Sequence, residues 1–304
     1  MNNILTIGRQ MVAQRRRPPG LESPWRRAWG RFRRHRLGVL GLFVFATLVL
    51  LSVLAPWVTR YDPISISLRH RNMPPSTLHW LGTDELGRDM WARIVYGGRV
   101  SLSIAGASVA LAGVLGVLVG AISGFAGGKV DMVLMRLTDV VMCLPSLIMS
   151  MVLLTLLGPR FTTIIIAISF PSWPPIARLV RGQLLSLKER DFVIAAKAIG
   201  VSTPRIIFRH LLPQAFSPVI VAATLNMAQA IILEGSLSFL GIGLPPPTPS
   251  WGNMLQAAQS IQVLESFPWR WVPPGVAIVL SVLSINAVGD ALRDALDPHT
   301  TKWL

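Results

Sequence analysis

The chain has 304 residues, a mean hydropathy of +0.54 and only 14% charged residues, whereas a soluble domain carries about 25%. The formal net charge is +15, but the basic residues sit in short segments beside apolar runs, where Lys and Arg orient membrane helices. Nucleic-acid binding, the first reading of such a charge, is therefore set aside. One cysteine, Cys143, lies inside an apolar run, which excludes an internal disulfide and a cysteine zinc cluster.

Residues 1–36 hold ten arginines: Arg9, Arg15, Arg16, Arg17, Arg26, Arg27, Arg31, Arg33, Arg34 and Arg36. Arg15–Arg17 run into Pro18 and Pro19 with no apolar core or small-residue cleavage site, so the stretch is not a secretory signal. It mimics a twin-arginine signal, but the apolar run that follows is long enough to be a retained span. The segment reads as a basic cytoplasmic flank.

About 20 apolar residues cross a hydrocarbon core, and residues 100–128 alone carry no charge. Six spans are predicted, making the chain an all-α membrane protein: Leu37–Val58, Ser101–Phe125, Val133–Leu157, Phe161–Leu179, Ser217–Leu240 and Trp271–Ala291. The N-terminal flank and the segment between the fourth and fifth spans (Arg181, Lys188, Arg190, Lys197, Arg205 and Arg209) are both basic and fall on one side. By the positive-inside rule both termini are cytoplasmic. Arg60, Arg69, Arg71, Arg88, Arg93 and Arg99, between the first two spans, argue the other way, but the N-terminal flank is denser and comes first.

In the second span Ser108, Ala112, Gly116, Gly120 and Gly124 recur every four residues and form one stripe of small side chains, which lets another helix come close. Pro171, Pro174 and Pro175 are expected to break or kink the fourth span. Acids within spans are costly; Asp139 lies in the third span and Glu234 in the fifth. Asp139 either faces a pathway or pairs with a neighbour such as Arg136, the pairing being favoured. Glu234 has the same two readings, evenly balanced.

No phosphate loop is present: Gly124–Lys129 lacks the glycine spacing and the Ser or Thr after Lys. His35, His70, His79, His210 and His299 form no metal-ligand spacing, and no G-x-S-x-G elbow appears. No catalytic residue, metal or cofactor is assigned to this chain. A transporter that takes its energy from another subunit fits better than an enzyme.

The most informative polar segment is LKERDFVIAAKAIGVSTPRIIFRHLLP, Leu187 to Pro213. Phe192, Ala195, Ala196 and Ile199 share a helical face, and the two alanines keep it shallow. Asp191 suits an N-cap and Gly200 a C-terminal stop. Thr203-Pro204 starts a second short helix, ending at Pro213, that leads into the fifth span.

This segment resembles the Glu-Ala-Ala coupling loop of ATP-binding-cassette (ABC) import permeases. Ala195, Ala196 and Gly200 match its alanine pair and glycine, and His210, Leu211 and Pro213 its His-x-x-Pro-like end. Ile194 stands where the motif has glutamate. HWLGTDELGRDMWARIVYGGRVSL (His79–Leu102), LSFLGIGLPPPTPSWGNML (Leu237–Leu255) and NAVGDALRDALDP (Asn286–Pro298) resemble, in order, further signatures of the dipeptide/oligopeptide/nickel permeases, in particular the C-type subunit. The resemblance implies a type I importer fold with residues 1–36 as cytoplasmic segment, 37–100 as first span and extracytoplasmic segment, and 101–304 as core permease domain with the coupling loop at 182–213. It implies a second permease subunit, one or two ABC ATPases carrying ATP and Mg, a periplasmic or lipid-anchored binding protein, and a multi-pass location in the bacterial inner membrane, with peptides or a related small solute as cargo. The other classes weighed are an ion-coupled secondary transporter using Asp139 and Glu234, and a scaffold without transport.

Three local expectations complete the reading. Pro245, Pro246, Pro247 and Pro249 form a stiff connector over the outer end. Asp84, Glu85, Arg88, Asp89 and Arg93 have the spacing of an ion-paired amphipathic helix on the outer surface, and Asp290, Arg293, Asp294 and Asp297 that of an ion-paired helix end.

Overall fold

The computed structural model describes residues 24–296. Arg9, Arg15–Arg17, Asp297 and Pro298 lie outside the described residues. Among the described residues the regular structure is helical: α1 (Pro24–Phe32), α2 (Arg36–Val53), α3 (Met90–Ala126), α4 (Gly128–Cys143), α5 (Ser146–Leu157), α6 (Phe161–Leu187), α7 (Asp191–Ala198), α8 (Thr203–Ile206), α9 (Leu212–Phe239), α10 (Trp251–Leu255), α11 (Ile261–Ser266) and α12 (Val272–Leu296). Helices α2, α3, α6, α9 and α12 are each long and apolar enough to cross a membrane, and α4 with α5 makes a sixth, bent crossing.

Lipid tails are as apolar as leucine, so packing and hydrogen bonds, not burial from water, hold such a bundle together. The small-residue stripe of α3 shows how. Its five residues are buried, and the facing helix is α6. A Cβ on Gly116 would lie 2.6 Å from Ile176 Cβ, and one on Gly120 would overlap the Ala177 carbonyl oxygen. Ser169 Oγ donates to the Ser108 carbonyl at 3.0 Å. Positions 108, 116, 120 and 124 meet α6 in ascending order, so the two helices run parallel. Parallel second and fourth spans require one crossing between them, which α4 and α5 supply together.

The other neighbours obey the same parity. Gly38 of α2 faces Ala291 and Gly41 faces Ser284, so the first and last spans are antiparallel. Ser52 at the end of α2 meets Gly98 near the start of α3. One end of the bundle therefore gathers the start of α2, the ends of α3, α6 and α12, and α7. Helix α1 belongs there too: Phe32 is buried with Ala291 and Ala295, and Arg31 Nη1 donates to the Ala295 carbonyl at 3.5 Å, a cation at a helix C-terminus. The opposite end gathers the start of α3, residues 59–89 and α10–α11.

Two proline effects differ from expectation. The third span is not one helix: α4 and α5 meet at 91°. Pro145 has no N–H, and it forces Leu144 into extended backbone (φ −93°, ψ 135°). The fourth span, conversely, is unbroken through Pro171, Pro174 and Pro175. Pro171 cannot bond the Ala167 carbonyl, but Ser150 Oγ of α5 donates to that oxygen at 2.8 Å. A neighbouring helix thus satisfies the group that the proline frees.

Helix α3 is also longer than the predicted span. Its 37 residues extend about 55 Å at 1.5 Å per residue, against about 30 Å of hydrocarbon. The first turns, from Met90, therefore project beyond the membrane. Asp89 caps them by accepting from the Ala92 N–H at 2.8 Å.

Candidate coupling surface and outer lid

Helix α7 is tethered to the bundle through Val193 and, in part, Ala196. Val193 is fully buried with Leu184 and Leu187 of α6 and with Ile206 and Leu211. Ala196 is partly buried against the same cluster. Phe192 is 38% exposed, Ile194 57% and Ile199 80%, and Ala195 is exposed beside them. The predicted apolar face thus divides: Ala196 turns inward, while Phe192, Ala195 and Ile199 stay open. The alanine step keeps that open face low.

Asp191 occupies the first turn of α7 rather than its cap, since the Arg190 carbonyl accepts from the Val193 N–H at 2.9 Å. Gly200 ends the segment with φ +81°. The Val201 N–H returns to the Ala196 carbonyl at 3.0 Å, the hydrogen bond of a Schellman stop, whose left-handed residue is usually glycine. Pro213 does not end the second helix, contrary to expectation. A π turn over Ile207–Leu211, closed by the Leu212 N–H on the Ile207 carbonyl, lets the chain continue into α9. His210 lies in that turn, and its side chain is outside the described residues.

Asp139 and Glu234 have different settings. Asp139 accepts from Arg178 Nη2 at 2.5 Å and lies 3.8 Å from Arg136 Nη1. Arg136 was the expected partner, but the closer one comes from α6 and ties it to α4. Glu234 is 2% exposed. Ser101 Oγ of α3 and Ser238 Oγ of α9 each donate to it at 2.8 Å. Ser101 Oγ also accepts from the Trp251 N–H at 3.2 Å. Glu234 is therefore the hub that fastens α9, α3 and the start of α10 at the end of the bundle opposite α7.

The lid lies over that hub. After α9 the chain passes Leu244–Pro249 without regular structure, and Ser250 with Asn253 forms a reciprocal cap on α10. Trp251 is 1% exposed and its indole N–H donates to the Ile94 carbonyl at 2.9 Å. The proline connector is thus pinned to the first turns of α3.

Beside it stands the charged segment predicted as an amphipathic helix. It is a buried loop instead. Gly82 and Gly87 have φ of +72° and +71°, and a Cβ on Gly87 would overlap the Ser67 carbonyl oxygen. Asp84 Oδ1 accepts the N–H groups of Leu86 and Arg88 at 2.9 Å, and Asp84 Oδ2 accepts from Arg88 Nε at 2.6 Å. Arg93 lies 3.5 Å from the same carboxylate, and Arg270 pairs with Glu85. Burial pushes the Arg270 guanidinium below its usual value; Asp84 opposes the shift and Arg71 adds to it. At the C-terminal helix end, the expected ladder gives way to a 3.7 Å contact between Asp294 and His35, and among the described residues Asp290 and Arg293 do not pair.

The fold is a membrane-spanning helical bundle with an apolar helix face exposed at one end. Comparison with known proteins gives the class. Residues 116–302 match the family described as binding-protein-dependent transport system inner membrane component, and residues 23–75 match the N-terminal TM domain of oligopeptide transport permease C. The Bacillus subtilis (strain 168) oligopeptide transport system permease protein OppC is 41% identical over 92% of this chain and 91% of its own. The dipeptide transport system permease protein DppC of Alkalihalophilus pseudofirmus is 40% identical over 91% and 90%. A Brucella suis biovar 1 protein, provisionally named a peptide permease, is 45% identical over 92% and 93%. Among solved structures, a chain of the inward-facing MetNI methionine ABC transporter superposes with a TM-score of 0.56 at 20% identity, over 68% of this chain and 97% of that one.

The chain belongs to the family of binding-protein-dependent transport system inner membrane components. It is a non-catalytic permease subunit of an ABC importer and a multi-pass protein of the bacterial inner membrane. Membership implies ATPase subunits, a substrate-binding protein and a second permease as partners.

Proposed function

We propose that this chain forms half of the pathway of an importer for di- or oligopeptides, or a related small solute, and that α7 is the element on which the ATPase acts. The cargo class rests on the names of OppC and DppC. The coupling role rests on one observation above all: Phe192, Ala195 and Ile199 form an exposed apolar face on a helix fixed to the bundle through Val193. A face of this kind on the polar side of a membrane protein marks a partner surface.

In this reading both termini and α7 are cytoplasmic, and the lid with the buried ionic loop is extracytoplasmic. The chain pairs with a related permease as a heterodimer. One or two ABC ATPases hold ATP and Mg, and a periplasmic or lipid-anchored binding protein delivers the solute. The contacts of this chain are lipid and protein, with no nucleic acid. ATP shifts the pathway from inward- to outward-open only by as much as it favours the outward arrangement, since a ligand moves an equilibrium by its differential affinity alone. Gly200 stops α7, Asp191 places a negative charge in its first turn, and Pro213 lies in the first turn of α9. Asp139 joins α4 to α6, and Glu234 holds the outer end of α9.

Tagged native complex extracted in mild detergent tests this directly. A second six-span permease and a phosphate-loop ATPase should co-purify, and proteoliposomes of the complex with its binding protein should take up peptide only with ATP inside. Uptake by the isolated chain driven by an ion gradient would establish the ion-coupled transporter instead.

A further inference from the structure

Residues 24–36 carry six arginines and no Asp or Glu. Folded, they make a fixed basic surface. Phe32 anchors α1 by packing, buried against Ala291 and Ala295 of α12, and Arg31 adds its bond to the Ala295 carbonyl. Around that anchor Arg26, Arg33, Arg34 and Arg36 are exposed. Among the described residues none of the four forms an ion pair, and the carboxylate contact in this region joins Asp294 to His35 instead. Trp29 is 53% exposed. Its ring stacks on Phe32 at 5.7 Å, and the Arg33 guanidinium lies 5.7 Å from the ring centre.

The position of this surface is set by α12. Ala291 meets both Phe32 of α1 and Gly38 in the first turn of α2. Helix α1 therefore lies beside the start of the first span, where the exposed apolar side of α2 begins with Leu37, Leu40 and Phe43. The charge there is self-repelling. Arg33, Arg34 and Arg36 crowd the N-terminus of α2, the positive end of its dipole, and the first turn of α2 holds no acid. An anion is what the site lacks, and the place that lacks it is the edge of the hydrocarbon.

We infer that α1 is an interfacial helix that binds the phosphate headgroups of anionic phospholipid. Arg26, Arg33, Arg34 and Arg36 meet the phosphates, and Trp29 sits at the boundary with the acyl chains. Guanidinium groups suit phosphate oxygens, and an amphipathic basic helix with an aromatic residue beside a span is the arrangement that lies in a charged membrane surface. Continuity with the apolar side of α2 selects lipid over an acidic protein surface, because a lipid bound here places its headgroup on α1 and its chains along Leu37, Leu40 and Phe43. Since α1 is bolted to the end of α12, such lipid also steadies the last span. The inference needs the membrane-spanning fold and neither the cargo nor the ATPase reading.

The test uses the intact complex in phosphatidylcholine nanodiscs carrying a trace of photoactivatable phosphatidylglycerol or, in parallel, photoactivatable phosphatidylcholine, with the cross-linked peptides mapped by mass spectrometry. Each basic residue near an anionic surface contributes about fivefold in binding, so residues 24–36 should take the phosphatidylglycerol label at least about tenfold over the phosphatidylcholine label in 0.05 M salt. In 0.5 M salt, where charges are screened within a few ångström, the preference should fall several-fold. R26Q/R33Q/R34Q should bring it to within about twofold of unity. Equal labelling in the wild type, or an undiminished preference in the triple variant, overturns the inference. A triple variant that keeps the preference but loses its ATPase subunit does so too, by assigning these arginines to an acidic protein surface. Should the triple variant not assemble, the salt series on the unaltered complex decides alone: a preference unchanged by salt overturns the inference.

Discussion

Replacement of Gly200 by valine isolates the backbone contribution to coupling. Gly200 has φ +81°, and a Cβ at this position would have nothing within 4 Å, so a larger residue meets no steric obstacle. What it meets is the left-handed backbone, which costs an L-residue about 1–2 kcal/mol and a β-branched one the most. Spent on the stop of an eight-residue helix, that amount changes the ratio of formed to frayed α7 by about 5–30-fold. The fixed face of Phe192, Ala195 and Ile199 would be lost in proportion. The assay is solute taken up per ATP hydrolysed, in proteoliposomes of the full complex. G200V should hydrolyse ATP with little uptake, G200A should be intermediate, and G200N should stay near wild type because Asn tolerates this backbone. Wild-type stoichiometry in G200V would refute both the coupling role and the strain reasoning.

Three further outcomes follow from the packing. G120A drives a methyl into the Ala177 carbonyl and Val180 and should cost about 1–3 kcal/mol, read as a lower thermal midpoint in detergent, whereas G113A, with nothing within 4 Å, should be silent. S150A removes the donor to the Ala167 carbonyl that Pro171 leaves free and should cost about 1 kcal/mol; adding P171A, which restores the backbone N–H, should recover most of it by the same measurement. At Glu234, E234Q keeps one acceptor for Ser101 or Ser238 and should retain ATP-driven uptake, whereas E234A leaves two buried hydroxyls without their acceptor and should lower both midpoint and uptake; complete loss of uptake in a stable E234Q would assign the acid a charge-dependent role.

The spans and the stripe were legible because both depend on one-dimensional spacing. Small residues every fourth position dictate close approach, and α6 is the helix that approaches. The proline effects were not legible for a physical reason. A proline breaks a helix only if no outside donor meets the carbonyl it frees, and the Ser150 that rescues Ala167 lies on another element. Pro145 has no such rescuer among the described residues and does break its span. Asp84, Glu85, Arg88 and Arg93 have helical charge spacing, yet Gly82 and Gly87 at positive φ turn them into a loop; Gly87, between Leu86 and Arg88, was the available sign. The division of the α7 face, with Ala196 inward and Ala195 outward, depends on where Val193 anchors, and spacing alone does not say which of two apolar flanks meets the bundle.

The uninterrupted length of α3 has a mechanical meaning. One end of it carries the Ile94 carbonyl that holds Trp251, and the other the Gly124 carbonyl, which Lys188, just before α7, reaches at 3.4 Å. A rod of about 55 Å with no hinge cannot absorb a push locally; it tilts. A tilt of about 5° about one end displaces the other by about 5 Å, the rise of one helical turn. Because α6 is notched into the same rod along its small-residue stripe, the two would swing as a single lever arm. The lid at the far end would then be moved by leverage alone, with no relay of side-chain rearrangements through the membrane.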